Sequence, residues 1–553
     1  LRFNLVVSAG NELVTSAAAY LDHALDLAGT RVAALFMETV REPAAFRAAL
    51  AKAAAQAVPV VALKVGRGQA ARAMVAAHSG ALAGEDGVYQ ALFDAYGVSQ
   101  VATLDELSDT FELLACRRAA GGGLAAIGDS GGERAHLLDL AERLRVPFAE
   151  ISEATRRRLA AVLEPGLPPT NPLDAWGTGN DADQIFATCI TALLDDPATA
   201  ALALNLDLTT EPTPDTSYTG LAIAAAASTT KPVAVLANLA AAADPAEAAT
   251  LRAAGVPVLE GTATGLSALR HLLAYRDFLA DPPPASGLAD DVGTASPGPV
   301  AVPSRLLASR APGPATRERW RARLADPARP LDEAEGLALL ADWGVPVVPV
   351  EVANSLKEAM VAAERVGWPV ALKTAAPGIA HKSDVGGVVL GLEELGRVAA
   401  AYHDLAGRLG PRVLVAAMAG PGVELALGIV DDAQFGPLVM VAAGGVLVEV
   451  LRDRRFALPP VDHRQALAML DRLAVRPLLD GARGAPPSDL DAVADAIVRL
   501  STLAVDLGPA LAALDVNPLL AGPDGCAAVD ALVVGRGPSR PSARTSARWP
   551  GRR

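Results

Sequence analysis

The stretch Ala77-His78-Ser79-Gly80-Ala81-Leu82-Ala83-Gly84 places a histidine at the head of a loop of small residues. The apolar run at 58–65 before it reads as a buried strand, and 86–96 after it reads as a helix. Strand, small-residue loop and helix form the repeating unit of a parallel α/β sheet, whose ligands gather at the carboxyl ends of strands. Small side chains let the backbone come close to a bound group. Free N–H groups in the loop and at the helix start suit an anion. A neutral imidazole is nucleophilic near neutral pH. The sharper reading is a histidine that accepts a phosphoryl group. Taken alone, the stretch favours the plainer one, a histidine satisfied in a tight turn.

Working outward, the alternation continues on both sides. Residues 5–7, 32–36 and 98–102 read as strands, and 15–27, 43–57 and 105–118 as helices. Pro43 suits a helix start, and the helix from Asp105 has an acidic first turn. Glu38 follows the strand at 32–36, within reach of the crevice that His78 would line. A carboxylate on one imidazole nitrogen fixes the tautomer and leaves the other free to attack. A surface or helix-start glutamate would occupy the same position. Gly121-Gly122-Gly123 reads as a hinge into a second α/β unit that runs to about 280. Its first turn, Gly128-Asp129-Ser130-Gly131-Gly132, opens a helix and is another phosphate-type turn. Asn171-Pro172-Leu173-Asp174 is a polar turn that would line a crevice or cap a helix.

Composition narrows the function. The chain has 553 residues, too many for one core, and a formal charge of −14, which leaves no nucleic-acid footprint on its body. Aromatics are only 4%, too few for a base-stacking platform. Cys116, Cys189 and Cys526 are far apart without CxxC spacing, as in a reducing cytoplasm. No apolar run reaches membrane-spanning length, and no signal peptide is visible. Residue 1 is Leu, and the start is expected to fall inside a domain. Residues 281–315 are rich in Pro, Gly, Ala and Ser and read as a linker. Residues 536–553 carry six arginines and no acids, a disordered basic tail.

Between these lies a region with different punctuation. Helices are expected at 332–343 and 355–366, and strands at 345–350 and 370–373. Lys373 ends one strand, where a lysine can meet nucleotide phosphates; otherwise it would be an ordinary surface lysine. A turn follows, Ala380-His381-Lys382-Ser383-Asp384-Val385-Gly386-Gly387-Val388. Further strands at 413–417, 423–430, 438–442 and 446–450 read as partly antiparallel. Asn517 and Asp530 flank the Gly522-Pro523-Asp524-Gly525 hairpin turn and can offer oxygens to one Mg²⁺. No Walker A loop is present.

Taken together, these stretches resemble the NDP-forming acyl-CoA synthetases, the superfamily of ADP-forming acetate–CoA ligase and succinyl-CoA synthetase. His78-Ser79-Gly80-Ala81-Leu82-Ala83-Gly84 is similar to that family's phosphohistidine loop, and Asn171-Pro172-Leu173-Asp174 to its N-P-x-D. The runs around Lys373, His381, Gly422-Val423-Glu424-Leu425 and Asp515-Val516-Asn517-Pro518-Leu519 resemble its ATP-grasp domain. Three departures stand out. This sequence is expected to lack the family's N-terminal CoA-binding domain and the first βα of the domain that follows it, and Ala416-Ala417-Met418 lacks the acid or amide expected near an adenine.

The resemblance implies an α/β fold of two flavodoxin-like parallel-sheet domains (1–120 and 121–280), the linker, and an α+β ATP-grasp domain (316–535). It implies interconversion of acyl-CoA, ADP and phosphate with carboxylic acid, CoA and ATP, through an acyl phosphate and a phosphohistidine. His78, Glu38 and His381 would be catalytic. Ser79, Gly80, Gly84, Ser130, Gly131 and Gly132 would hold phosphate, Lys373 and Glu424 the nucleotide, and Asn517 and Asp530 the Mg²⁺. The partners are these small molecules, with either a homo-oligomer or a second chain that carries a CoA-binding domain. The alternatives are a non-catalytic nucleotide- or CoA-sensing module and an incomplete subunit.

Overall fold

A computed structural model describes residues 3–68, 86–178, 180–209, 218–284, 312–326, 329–379, 382–445, 451 and 453–536. The chain divides into two compact units, Leu1–Asp86 with Tyr96–Pro282, and Gly87–Ala95 with Pro283–Arg553. Several expectations fall outside the described residues: His78, Ser79, Gly80, Gly84 and His381, the strand at 446–450, and most of the linker and tail.

In the first unit, β1 (Ala33–Met37), β2 (Val60–Lys64) and β3 (Ser99–Val101) form a parallel sheet in the order β1-β2-β3. A second parallel sheet holds β4 (Gly123–Gly128), β5 (Leu173–Asp174), β6 (Thr199–Leu206), β7 (Val233–Ala237) and β8 (Val258–Glu260), ordered β5-β4-β6-β7-β8. Every residue of β2, β4, β6 and β7 is buried. Strands covered on both faces need continuous apolar runs, which is what the sequence supplies there. One core joins the two sheets: Val61 and Leu63 pack in the same cluster as Leu124, Leu236, Leu259 and Leu269.

The glycines read as a hinge have a different task. Gly122 has φ +112°, and a Cβ on Gly123 would lie 2.6 Å from the Ala149 backbone nitrogen. They let β4 enter against neighbouring backbone, and the strand starts within the triplet. Residues 5–7 do not form the expected strand; they run as coil with Val6 exposed. A three-residue apolar run carries too little periodicity to separate strand from extended coil.

The acidic helix Leu104–Leu114 closes an open sheet edge. Glu106, Asp109 and Glu112 are buried along it. β8 is an edge strand, so the N–H groups of Val258 and Glu260 lack a ladder partner on that side. Glu112 accepts from Val258 N–H at 3.0 Å and Asp109 from Glu260 N–H at 3.0 Å. Arg252 Nε donates to both Glu112 oxygens, at 2.9 and 3.1 Å.

In the second unit, β9 (Val350–Ala353), β10 (Val370–Thr374), β11 (Val388–Leu392) and β12 (Val413–Ala417) form an antiparallel sheet ordered β11-β10-β12-β9. The larger sheet holds β13 (Val423–Asp432), β14 (Gly436–Ala443), β15 (Arg454–Ala457), β16 (Leu511–Gly522) and β17 (Gly525–Ala528). Its order is β15-β14-β13-β16-β17, and β18 (Ala531–Gly535) also pairs with β16. The strand expected at 345–350 begins only at Val350. Pro346 and Pro349 have no N–H to give a ladder, and only a single bridge, Val347 to Ala528, forms there. Residues Gly87–Ala95 group with this unit. Tyr89 is wholly buried, its ring edge-on to Phe435 at 5.3 Å, and its hydroxyl donates to Gln434 Oε1 at 3.1 Å.

Candidate functional site

Lys373, Lys382 and Asp530 meet where the helix Glu333–Asp342 starts. Asp332 caps this helix and forms a capping box with Glu335, which fixes the first turn and with it Glu333. Alternation along β10 turns Val370 and Leu372 into the core under the helices Leu356–Val366 and Leu395–Leu409. Lys373 therefore faces the other side. It is no surface lysine: its side chain is 5% exposed and that of Glu333 6%. Lys373 Nζ donates to Glu333 Oε1 at 2.6 Å and to the Val529 carbonyl at 2.9 Å. Lys382 Nζ pairs with the other carboxylate oxygen, Glu333 Oε2, and lies 3.8 Å from Asp530 Oδ1.

Asp530 sits in the junction between β17 and β18, held by Val529 N–H donating to the Pro518 carbonyl at 3.0 Å. Asp515 and Asn517 are two apart on β16 and so share a face. Burial, and then the Asp530 charge, raise the Asp515 carboxyl above its ordinary value. Asn517 Oδ1 accepts from Gly445 N–H at 3.4 Å, and Glu424 Oε2 lies against the position a Cβ on Gly445 would take. Glu424 is exposed, and its backbone carbonyl accepts from Gly444 N–H at 2.8 Å. Among the described residues no three of His, Cys, Asp and Glu converge as a metal cage. The donors present, carboxylate and carboxamide oxygens, fit a Mg²⁺ that keeps waters and takes phosphate oxygens.

In the first unit, Glu38 directly follows β1 and is half-buried. Beside it in register, Met37 pairs with Lys64, a buried lysine whose Nζ donates to the Val65 carbonyl at 2.7 Å. Ser130 is the N-cap of the helix Gly131–Leu144, its hydroxyl accepting from Glu133 N–H at 3.4 Å. Gly131 and Gly132 are exposed at that helix start. The setting is acidic. Asp174 Oδ2 is 3.2 Å from where a Cβ on Gly131 would lie, and Asp129 Oδ2 accepts from the Tyr218 hydroxyl at 2.7 Å. Burial, then the charges of Asp207 and Asp129, raise the Glu133 carboxyl. The Asn171 side chain is taken up by backbone groups. Its Oδ1 accepts from Ala126 N–H, and its Nδ2 donates to the Leu124 and Ala149 carbonyls, all at 2.9 Å. The carboxamide thus stitches β4 to its neighbour where β5 is only two residues long.

Sequence reasoning missed Glu333 and gave Lys382 and Asp515 no role, although both were within quoted motifs. The i, i+2 spacing of Asp515 and Asn517 on an expected strand would have put them on one face. Glu333 carried no local signal, since it lies 40 residues from Lys373 and resembles any helix-start acid.

Two family models match the chain: an ATP-grasp domain over residues 322–534 and a succinyl-CoA ligase like flavodoxin domain over 1–114. An ADP-forming acetate–CoA ligase I of Archaeoglobus fulgidus is 31% identical over 542 residues, 96% of this chain and 74% of the relative. A trans-feruloyl-CoA synthase from an unknown prokaryotic organism is 29% identical over 543 residues, 96% of this chain and 72% of the relative. The beta subunit of an ADP-forming acetate–CoA ligase I of Pyrococcus furiosus is 36% identical over 214 residues, 37% of this chain and 92% of the subunit. With the parallel-sheet unit, the ATP-grasp region and a relative 31% identical that matches 96% of this chain, the chain belongs to the family of ADP-forming acetate–CoA ligases.

Proposed function

We propose that this ligase interconverts acyl-CoA, ADP and phosphate with a carboxylic acid, CoA and ATP. Phosphate displaces CoA at the acyl carbon to give an acyl phosphate. His78 then attacks phosphorus, releasing the carboxylate, and the phosphoryl group passes to ADP, with His381 as second carrier. Glu38 orients the His78 imidazole, and Ser79, Gly80 and Gly84 hold the phosphoryl oxygens by backbone and hydroxyl donors. The Ser130-Gly131-Gly132 turn adds phosphate contacts.

Lys373 and Glu424 contact the nucleotide, and Asn517 and Asp530, with Asp515 beside them, would hold Mg²⁺. When bound, that ion neutralises phosphate charge. Most of the remaining catalytic need is positioning. Three free thiols, Cys116, Cys189 and Cys526, fit a cytoplasmic location. Among the described residues no helix is long and apolar enough to cross a membrane. A partner chain belongs to the proposal because one relative is itself a subunit.

The observation that carries the reading is the pair of lysines gathered on Glu333 beside Asp530, whose charge in turn reaches Asp515. Calorimetric titration with ATP and Mg²⁺ tests it. Asp530→Ala should weaken binding at least tenfold with an unchanged circular dichroism spectrum. Equal affinity would remove Asp530 from the site.

A further inference from the structure

Among the described residues, Glu333 is the carboxylate that the two lysines share, one oxygen to each. Its burial makes a purely stabilising role a poor account. Ion pairs taken out of water contribute little net stability, because the desolvation of both partners offsets their attraction. Two ammonium groups share one hydrogen-bonding carboxylate. Asp530, 3.8 Å from Lys382 and 37% exposed, pairs with it through charge but is too far for a hydrogen bond.

Among the described residues, donors are in excess. Each ammonium has three N–H groups. Lys373 uses two, on Glu333 and the Val529 carbonyl. Lys382 uses one on Glu333. Lys382 is also tied to β10 through the backbone: Gly387 N–H donates to the Lys382 carbonyl at 2.7 Å, and Thr374 N–H to the Gly387 carbonyl at 2.7 Å. One carboxylate therefore sets both ammonium positions, and with them the turn that starts one residue after His381.

We propose that Glu333 is a positioning residue that holds Lys373 and Lys382 as a preassembled clamp for the phosphates of a nucleoside di- or triphosphate. This rests on the reading of the second unit as the nucleotide site. The clamp reduces the cost of ordering two long side chains when the nucleotide arrives.

Two measurements on the full chain test it. Titration with ATP and Mg²⁺ should give a Kd at least tenfold higher in Glu333→Gln, where a neutral amide can accept from one lysine only. Glu333→Asp should be intermediate. Because Glu333 acts through the lysines, Glu333→Gln combined with Lys382→Met should weaken binding by less than the product of the single effects. Additive effects would overturn the proposal. Hydrogen exchange of the nucleotide-free chain provides the second arm. Amides of Gly386 and Gly387 should exchange at least tenfold faster in Glu333→Gln, with those of β13 and β14 unchanged. Unchanged exchange at Gly386 and Gly387, or a general acceleration, would overturn the positioning role. If the unsubstituted chain binds no nucleotide, the nucleotide reading falls, and exchange alone decides whether Glu333 positions the lysines.

Discussion

Replacing Asp109 with asparagine should raise stability at about pH 8 and leave it nearly unchanged at about pH 4. Asp109 Oδ1 accepts the Glu260 N–H, and Oδ2 has no hydrogen-bond partner among the described residues. Burial, then the charges of Glu112 and Glu260, push its carboxyl from 3.8 up to about 6. The sign follows from which state releases its proton first. Below the ordinary Asp value, folded and unfolded chains both hold the proton. As pH rises from there to about 6, only the unfolded chain releases it, so the folded state loses stability; above about 6 the loss is complete. A shift of about two units corresponds to roughly 3 kcal/mol. Asparagine keeps the acceptor for Glu260 and carries no charge. Its amide occupies the unpartnered Oδ2 position at a cost of roughly 1–3 kcal/mol, which the protonated acid shares at low pH. The stability of the variant relative to the parent should therefore rise by about 2–3 kcal/mol between acid and alkaline conditions. Urea unfolding followed by circular dichroism at both pH values measures it, through the midpoint of the transition that melts the first unit. A difference independent of pH would refute the reasoning.

Gly123→Ala should destabilise the first unit by roughly 1–3 kcal/mol, because a Cβ there meets the backbone at 147–149; an unchanged thermal midpoint would contradict the close approach. Gly445→Ala has φ +56° against it, a cost of about 1–2 kcal/mol, and its Cβ would displace the Glu424 carboxylate. A fluorescent-nucleotide titration should show weaker binding in that variant, and full affinity would take Glu424 out of the site.

The elements were legible where one period dominated. The buried runs of β2, β4, β6 and β7 announce a parallel sheet covered on both faces, and the Gly522–Gly525 turn announces the hairpin between β16 and β17. What escaped were side chains whose partners lie far along the chain. The helix Leu104–Leu114 read only as one with an acidic first turn, yet Asp109 and Glu112 further along it cap the edge of β8 some 150 residues later. Asn171 read as a turn residue, yet it completes the hydrogen bonding of β4. Lys373 was visible as a lysine at a strand end, but the acid that holds it was not, since nothing near Glu333 marks it apart from other helix-start acids. Pro346 and Pro349 were in plain view, and reading their missing N–H groups would have moved the start of β9 to Val350.

The claim on which the account turns is a phosphoryl group carried by His78. Incubating the full chain with γ-labelled ATP and Mg²⁺ should give a protein-bound label that is lost in acid, survives base, and disappears in His78→Asn. A label that persists in that variant, or one stable to acid, would contradict it.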